Sequence, residues 1–255
     1  LGGVADGLVR GRAVFGHRAV LLGESRVAGV AVDGLRTVFV FPGQGSQWVG
    51  MGVALMSASE VFAARMAECA AALEPFSGWD VRDMLSGPEV LERVEVLQPA
   101  SWAVAVSLAG LWRAHGVVPD AVVGHSQGEI AAACVAGALT LEDGARIVAR
   151  RSRTIAARLA GHGAMASIAL PAAEVETVEG VWIAARNGPA STVIAGDPEA
   201  VEQVLARYEH DGVRVRRIAV DYASHTPHVE AIEDEFAEAL EGITSRAPTV
   251  PWWST

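Results

Sequence analysis

The sequence predicts an α/β fold in which a smaller, strand-rich subdomain is inserted into a larger one. Two short apolar runs, Thr37–Phe41 and Ala121–Val123, are each followed by a loop and then a helical stretch, as expected of buried parallel strands. Residues 162–221 change character and follow the order strand, helix, strand, strand, helix, strand, which is that of a ferredoxin-like unit. A helix and one more strand-like stretch come after it, which indicates an insertion.

The remaining elements follow from hydrophobic periodicity and from Pro and Gly positions. Residues 1–36 are a Gly-rich lead-in with one strand-like piece at 18–22, and the larger subdomain takes residues 37–161 and 222–255. Predicted helices of the larger subdomain cover 57–73, 98–115, a stretch ending near 136, 141–159 and 229–240, with a last strand at 249–253. Predicted strands of the smaller subdomain cover 165–170, 181–185, 192–195 and 213–220, with helices from 172 and over 198–208.

The composition excludes several classes of function. The net charge is −10 and the basic residues are dispersed, which argues against a nucleic-acid surface. All 20 cationic side chains are Arg and none is Lys, so neither Schiff-base chemistry nor a Walker lysine is available. The 2 Cys residues are too few for a disulfide framework or a zinc site. With no long apolar run and no signal peptide, we expect a cytoplasmic protein that binds neither metal nor membrane.

The segment Gly124–Gly128 carries the clearest catalytic pattern. Its sequence, Gly-His-Ser-Gln-Gly, is the G-x-S-x-G of a nucleophile elbow, preceded by a predicted strand and followed by a predicted helix. Both glycines are needed because a tight strand-to-helix turn leaves no room for a Cβ. Ser126 is therefore the predicted nucleophile.

A serine nucleophile needs a base, and histidine is the usual one. Of the 7 histidines, His125 adjoins Ser126 and is expected to pack beneath the turn, because neighbouring side chains diverge at an elbow. His225 and His228 lie where the chain returns from the smaller to the larger subdomain, a junction where sites tend to form. His228 follows Pro227 and is expected to start the next helix. Spacing alone leaves both a catalytic and a structural role open for His225.

Arg151 falls inside the apolar stripe of the predicted helix at 141–159, four residues from both Ile147 and Ile155. A guanidinium on a buried face is unfavourable unless it meets an anion. Two interpretations remain open: an ion pair with a carboxylate of the protein, or a clamp for the carboxylate of a substrate, which the planar guanidinium suits.

The loop after the first core strand, Pro42–Gln47, is also glycine-rich. Its Gly43-Gln44-Gly45 backbone could approach a ligand, and the N–H of Gln44 could join that of Gln127 as an oxyanion pair. The alternative is a phosphate loop, but neither the G-x-G-x-x-G nor the Walker pattern is present.

Together these motifs closely resemble the acyltransferase domains of modular polyketide synthases, relatives of malonyl-CoA:acyl carrier protein transacylase. The resemblance rests on Phe41–Gly52, Gly124–Glu129, Arg151 placed 25 residues after the serine, and Tyr222–His225. It runs from Thr37 to the last residue and implies an α/β-hydrolase-like larger subdomain with an inserted ferredoxin-like smaller one. It also implies that residues 1–36 are the end of a linker from a ketosynthase domain.

The resemblance assigns roles by position. Ser126 would carry the acyl group, His225 would be the base and Arg151 would bind the free carboxylate of the extender unit. Gln44 and Gln127 would form the oxyanion hole, and His125 would line the pocket. The resemblance also implies that no cofactor is bound, that a CoA thioester would be the substrate, and that the phosphopantetheine arm of an acyl carrier protein would accept the acyl group.

The same resemblance points to the extender unit. Tyr222-Ala223-Ser224-His225 goes with methylmalonyl in this family, where His-Ala-Phe-His goes with malonyl. Gln127 and the Arg93–Gln98 segment also look like the methylmalonyl version. Room for the methyl beside Ala223 and Ser224 is plausible, although a methyl group discriminates by only about 1–3 kcal/mol.

The main rival is a serine hydrolase of the thioesterase or lipase type, and a non-catalytic docking domain is a third possibility. A hydrolase usually places an acid between the serine and the histidine in the chain. Asp143 and Asp197 lie in that interval, but neither ends a convincing core strand. Arg151 on a buried face has no evident purpose in a lipase.

Relatives in this family continue beyond the strand that corresponds to residues 249–255. Their extension finishes the sheet and provides a carbonyl thought to orient the base. The resemblance therefore implies that this chain is a fragment of a larger synthase, with apolar surface exposed and His225 less well oriented.

Overall fold

The computed structural model describes residues 15–255, and these form two compact units, divided between Thr37 and Val38. In the first unit, strand β1 (His17–Leu22) pairs with β2 (Ser25–Val30) in an antiparallel hairpin. The sequence predicted only the first strand, because Ser25–Val30 contains Gly and Ala and both strands are exposed at every residue. The first 14 residues of the predicted linker lie outside the described part of the chain.

The second unit contains the remaining strands and the helices. Its strands are β3 (Val38–Phe41), β4 (Ala121–Gly124), β5 (Ala164–Ile168), β6 (Val181–Gly188), β7 (Ser191–Gly196), β8 (Val215–Ile218) and β9 (Trp252–Trp253). Its helices are α1 (Val53–Ala58), α2 (Glu60–Ser77), α3 (Val81–Met84), α4 (Glu89–Glu92), α5 (Val94–Ala114), α6 (Gly128–Ala136), α7 (Leu141–Arg158), α8 (Pro198–His210) and α9 (Glu233–Ala239).

Strands β3, β4 and β9 form a parallel sheet in that order, with Phe41 opposite Gly124 and Val122 opposite Trp252. Helices α2, α5, α6 and α7 pack together on it around one hydrophobic core. Because parallel neighbours end at the same edge, the loop after β3 and the turn after β4 come side by side. This edge carries the predicted elbow.

Strands β5 to β8 form a separate antiparallel sheet in the order β6–β7–β5–β8. Numbered within the unit, this order is 2-3-1-4, that of a ferredoxin-like sheet read from one edge. Its core, which includes Ile168, Ile194 and Leu205, lies between the sheet and α8. The helix predicted from residue 172 is a single 3-10 turn, Ala172–Glu174, because the next residues are rich in Val and Thr and end at Gly180.

Other differences from the predicted elements have local causes. The helix predicted over 57–73 is two helices, separated at Ser59, whose hydroxyl accepts a hydrogen bond from the N–H of Phe62 and so caps α2. The helix predicted over 229–240 begins as a 3-10 turn, Pro227–Ile232, and becomes α-helical only at Glu233.

Helix α5 begins at Val94 rather than at the predicted Gln98, and carries Pro99 inside it. It is the one helix of the described residues that could cross a membrane by length and composition, with a mean hydropathy of 1.3. However, 67% of that stretch is buried inside the protein, as in the core helix of a folded domain. Its apolar character is therefore explained by packing against α2 and α7.

Candidate active site

The turn between β4 and α6 has the geometry of a nucleophile elbow. Ser126 adopts a φ of 52°, a left-handed conformation that is strained for a side chain other than glycine. The two glycines permit the turn: a Cβ on Gly124 would overlap Glu129, and a Cβ on Gly128 would overlap the carbonyl oxygen of Phe41. The predicted role of both glycines thus has a direct steric cause.

Ser126 and His225 are 99 positions apart in the chain, and their side chains meet. Ser126 Oγ lies 2.9 Å from Nε2 of His225, within hydrogen-bond distance. His225 also has a positive φ, 60°. The hydroxyl of Thr226, which donates to the carbonyl of Ala223 at 2.8 Å, ties down the turn that carries it.

The environment of His225 favours the neutral imidazole. Burial lowers its pKa below the ordinary value of 6.5, and the positive charge of Arg151 lowers it further. His125 acts in the same direction, while the carboxylate of Glu129 opposes the shift. A neutral His225 that accepts from Ser126 has the state required of a general base.

Ser126 and His225 open into a cavity of about 950 Å³. His125, Gln127 and Arg151 line it too, so His125 borders the cavity and is not simply packed beneath the turn. The sequence analysis missed the rest of the lining, because residues from four separate segments converge there, among them Ile130, Ile147, Ile183, Arg186, Asn187 and Phe236.

Arg151 reaches the cavity from α7. Its Nη1 donates to Oε1 of Gln98 at 2.6 Å, and within residues 15–255 no carboxylate forms an ion pair with it. Burial lowers the pKa of the guanidinium, which nevertheless stays protonated at neutral pH. Among the described residues, Arg151 therefore does not form the ion pair with a protein carboxylate that was one of its two interpretations. Its guanidinium instead faces a cavity large enough for a ligand.

The loop after β3 lies against the elbow. A Cβ on Gly43 would come within 3.3 Å of Cβ of Ser126 and 3.2 Å of the carbonyl of His125. The side chain of Gln44 turns away and accepts a 2.6 Å hydrogen bond from the hydroxyl of Tyr222. The backbone of this loop is thus beside the serine, as the predicted oxyanion role of Gln44 requires.

Gln127 is only 7% exposed, and its side-chain amide is buried. Neither Nε2 nor Oε1 finds a hydrogen-bond partner among the described residues. Any contribution of Gln127 to an oxyanion hole would come from its backbone N–H at the start of α6, which is also the part that the prediction invoked.

The predicted substrate contacts of Tyr222, Ala223 and Ser224 are not seen directly, since none of the three lines the cavity that holds Ser126. Ala223 is 1% exposed and lies against Gly163. A Cβ added to Gly163 would overlap the backbone nitrogen of Ala223. Tyr222 is buried and faces Gln44 and Gln98. Tyr222 and Ala223 are thus buried outside the lining of this cavity.

The two acids considered for a hydrolase triad have other partners. Asp143 closes the N-terminal cap of α7, where the Thr140 hydroxyl donates to its carboxylate at 2.8 Å. Asp197 lies 3.2 Å from His228, at the start of α8. The cysteines do not rival Ser126 as a nucleophile, because burial raises the pKa of Cys69 to about 12 and that of Cys134 to about 11.

Comparison of the sequence with known protein families identifies the enzyme family to which this chain belongs. The family model described as "Acyl transferase domain" matches residues 38–255. The chain belongs to this acyltransferase family. It is 51% identical to the spectinabilin polyketide synthase system protein NorC of Streptomyces orinoci, over 98% of this chain and 12% of that protein. It is also 51% identical to the pikromycin polyketide synthase component PikAII of Streptomyces venezuelae, over 100% of this chain and 7% of that protein.

This acyltransferase chain therefore spans about a tenth of the length of these curated relatives. Among solved structures, the acyltransferase domain from module 8 of the salinomycin polyketide synthase superimposes with a TM-score of 0.92 at 49% identity, covering 100% of this chain and 66% of the other. The malonyl CoA-acyl carrier protein transacylase of Coxiella burnetii superimposes with a TM-score of 0.76 at 31% identity, and the match covers 85% of this chain and 72% of the other. The predicted fold class, α/β-hydrolase-like with a ferredoxin-like subdomain, is confirmed.

Proposed function

We propose that this acyltransferase moves an extender acyl unit, methylmalonyl, from CoA to Ser126 and then to the phosphopantetheine thiol of an acyl carrier protein. The observation that carries the proposal is one cavity that holds both the Ser126–His225 pair and a guanidinium without a carboxylate partner. The setting is a polyketide synthase in the cytoplasm, beside a ketosynthase domain. The polyketide synthase setting is supported by the relatives NorC and PikAII, which are both named as polyketide synthase proteins.

In the first half-reaction, Ser126 Oγ attacks the thioester carbonyl while Nε2 of His225 accepts the hydroxyl proton. The resulting oxyanion accepts hydrogen bonds from the backbone N–H groups of Gln44 and Gln127. When the tetrahedral intermediate collapses, the C–S bond breaks and His225 returns the proton to the departing CoA thiol. An ester on Ser126 remains.

The second half-reaction reverses these roles. The phosphopantetheine thiol of the carrier protein gives its proton to His225 and attacks the ester carbonyl. The C–O bond to Ser126 then breaks, and the protonated His225 restores the serine hydroxyl. Because CoA leaves before the carrier protein reacts with the acyl-enzyme, the kinetics are ping-pong.

Arg151 selects for the extender's own carboxylate. Its guanidinium has five N–H donors, of which Gln98 takes one, so a bidentate pair with a carboxylate is open to it. This charge pairing holds the acyl group in one pose and favours dicarboxylic acyl units over simple ones.

The methylmalonyl assignment is supported by the Tyr222–His225 motif, by Gln127 and by the apolar side chains Ile130, Ile147 and Phe236 around the cavity. Equal amounts of malonyl-CoA and methylmalonyl-CoA, offered together and followed by intact-protein mass, test it. We expect the methylmalonyl adduct, which is heavier than the malonyl adduct by one methylene, to exceed it by about 10-fold or more. Predominance of the malonyl adduct would overturn the assignment. Free acid without an adduct or transfer would indicate the hydrolase instead.

Replacing Arg151 with methionine is expected to lower kcat/KM for methylmalonyl-CoA roughly 100-fold, because a desolvated charge pair to the substrate is lost. The kcat/KM for propionyl-CoA, which has the same skeleton without the carboxylate, should change less than about threefold. Single-turnover acylation measures both.

Arg150→Met is the matched control, since Arg150 lies next to Arg151 on α7 but is exposed. Equal losses for both thioesters in Arg151→Met, or an equal effect of Arg150→Met, would contradict a clamp for the carboxylate.

The lowered pKa of His225 predicts the pH dependence of acylation. The base acts when neutral, and with a pKa below 6.5 more than half of His225 is neutral at pH 6.5, so the midpoint of the acid limb of the rate should lie below that pH. Glu129→Gln removes the charge that raises this pKa, and should move the fall to still lower pH. Quenched single-turnover acylation across pH measures the profile.

Glu142→Gln is the control, because Glu142 is exposed at the start of α7. The melting temperature is followed as well, since Glu129 accepts hydrogen bonds from Ser254 and Thr255. A shift of the acid limb to higher pH in Glu129→Gln would contradict the stated electrostatics.

A further inference from the structure

A buried chain of hydrogen bonds joins Arg151 to the loop after β3. Arg151 Nη1 donates to Gln98 Oε1 at 2.6 Å, and Gln98 Nε2 donates to the Tyr222 hydroxyl at 3.4 Å. The Tyr222 hydroxyl in turn donates to Gln44 Oε1 at 2.6 Å. Four side chains from four segments of the sequence are thereby connected.

Chemistry allows only one direction for this chain. Arg151 can only donate, so the carbonyl oxygen of the Gln98 amide must face it and the NH2 group must face Tyr222. Tyr222 then accepts from Gln98 and uses its one proton on Gln44. A rotated Gln98 amide would set two donors against each other at Arg151.

Gln98 is the central member and has no access to solvent that could replace these bonds. It is 2% exposed, on the buried face of α5, and both ends of its amide are used. A buried polar group held on both sides rigidifies what it touches, because leaving either partner unpaired is costly.

We propose that Gln98 is a positioning residue that presents Arg151 to the cavity and, through Tyr222, holds the Gln44 loop beside Ser126. The inference rests on the proposed function of Arg151 and Gln44. It joins the site for the extender carboxylate to the oxyanion loop, so that one buried amide serves both. It also gives Tyr222, which does not line the cavity, a role behind its wall.

Gln98→Glu is the sharpest test because it keeps the shape and changes the charge. A carboxylate at this position would pair with Arg151 and compete with the carboxylate of the extender. We expect kcat/KM for methylmalonyl-CoA to fall roughly 30-fold more than kcat/KM for propionyl-CoA, which is affected only through the lost link to the Gln44 loop. A residue with a merely structural role would lower both rates alike.

Gln98→Met is the second variant, which removes both hydrogen bonds without adding a charge. It should raise KM for methylmalonyl-CoA about 10-fold and lower kcat for both thioesters as the Gln44 loop loosens. Gln203→Glu is the matched control, since Gln203 is exposed on α8 and undergoes the same change of charge. Parallel losses for both thioesters in Gln98→Glu, or no loss at all, would overturn the proposal.

A stability measurement separates this inference from the function on which it rests. Urea unfolding of Gln98→Met, Tyr222→Phe and the double variant forms a double-mutant cycle that needs no substrate. Non-additive shifts of the unfolding midpoint support the chain, and additive shifts overturn it whether or not the enzyme transfers acyl groups. If the wild type forms no adduct with either extender thioester, the proposed function fails and the cycle still reports on Gln98.

Discussion

Ser126→Ala will abolish the acyl adduct and lower the rate of acyl transfer on the order of 10⁴-fold or more. The substitution removes the atom that forms the ester, and no other nucleophile replaces it: Ser126 is the hydroxyl within 2.9 Å of His225. Intact-protein mass after incubation with methylmalonyl-CoA should show unmodified enzyme, while single-turnover assays measure the residual rate.

The alanine variant should fold as well as the wild type or better, because the hydroxyl is not part of the core and the strained φ of 52° remains. Ser57→Ala is the matched control, since Ser57 is exposed on α1 and far along the chain from the elbow. An adduct of full intensity on the Ser126→Ala protein would place the nucleophile elsewhere and contradict the proposed mechanism.

Gly128→Ala is expected to destabilise the fold by about 3 kcal/mol or more, enough to prevent folding of a marginally stable domain. The added Cβ would overlap the carbonyl oxygen of Phe41 and lie 2.6 Å from that of Pro42. Both atoms belong to the backbone at the end of β3, so no side-chain rotation can relieve the contact. Strand β3 and helix α6 would have to separate, and the edge that carries Ser126 would open.

Circular dichroism during thermal and urea unfolding measures this effect. Gly188→Ala is the control, because no atom lies within 4 Å of the position its Cβ would take, and its φ is not in the left-handed region. A melting temperature for Gly128→Ala equal to that of Gly188→Ala would show that the elbow tolerates a side chain, against the steric argument.

Local patterns were sufficient for much of this protein. The G-x-S-x-G turn was recognisable because its requirement is local: two positions without a Cβ and a strained residue between them. The order of elements along residues 162–221 indicated a ferredoxin-like unit, and the smaller sheet has the strand order of such a unit. Arg151 stood out because a charge within an apolar helical stripe needs a partner wherever the helix packs.

Other predictions failed or stayed open where the deciding contact lies far along the chain. The contacts of Ala223 and Ser224 with the substrate stay a prediction, since neither residue lines the cavity that holds Ser126. The sequence shows the size of each of these residues, whereas the direction of its side chain depends on what packs against it, as Gln44 and Gln98 do against Tyr222.

The sequence by itself thus determined the fold class, the elbow and its serine, because each depends on period or on backbone sterics within a few residues. Only the tertiary structure decided that His225 rather than His228 meets Ser126, that Arg151 pairs with Gln98 and not with a carboxylate, and that Tyr222 faces Gln44. These pairs join residues 53 to 178 positions apart. Contacts over such separations follow from how the helices and both sheets pack, which no local pattern encodes.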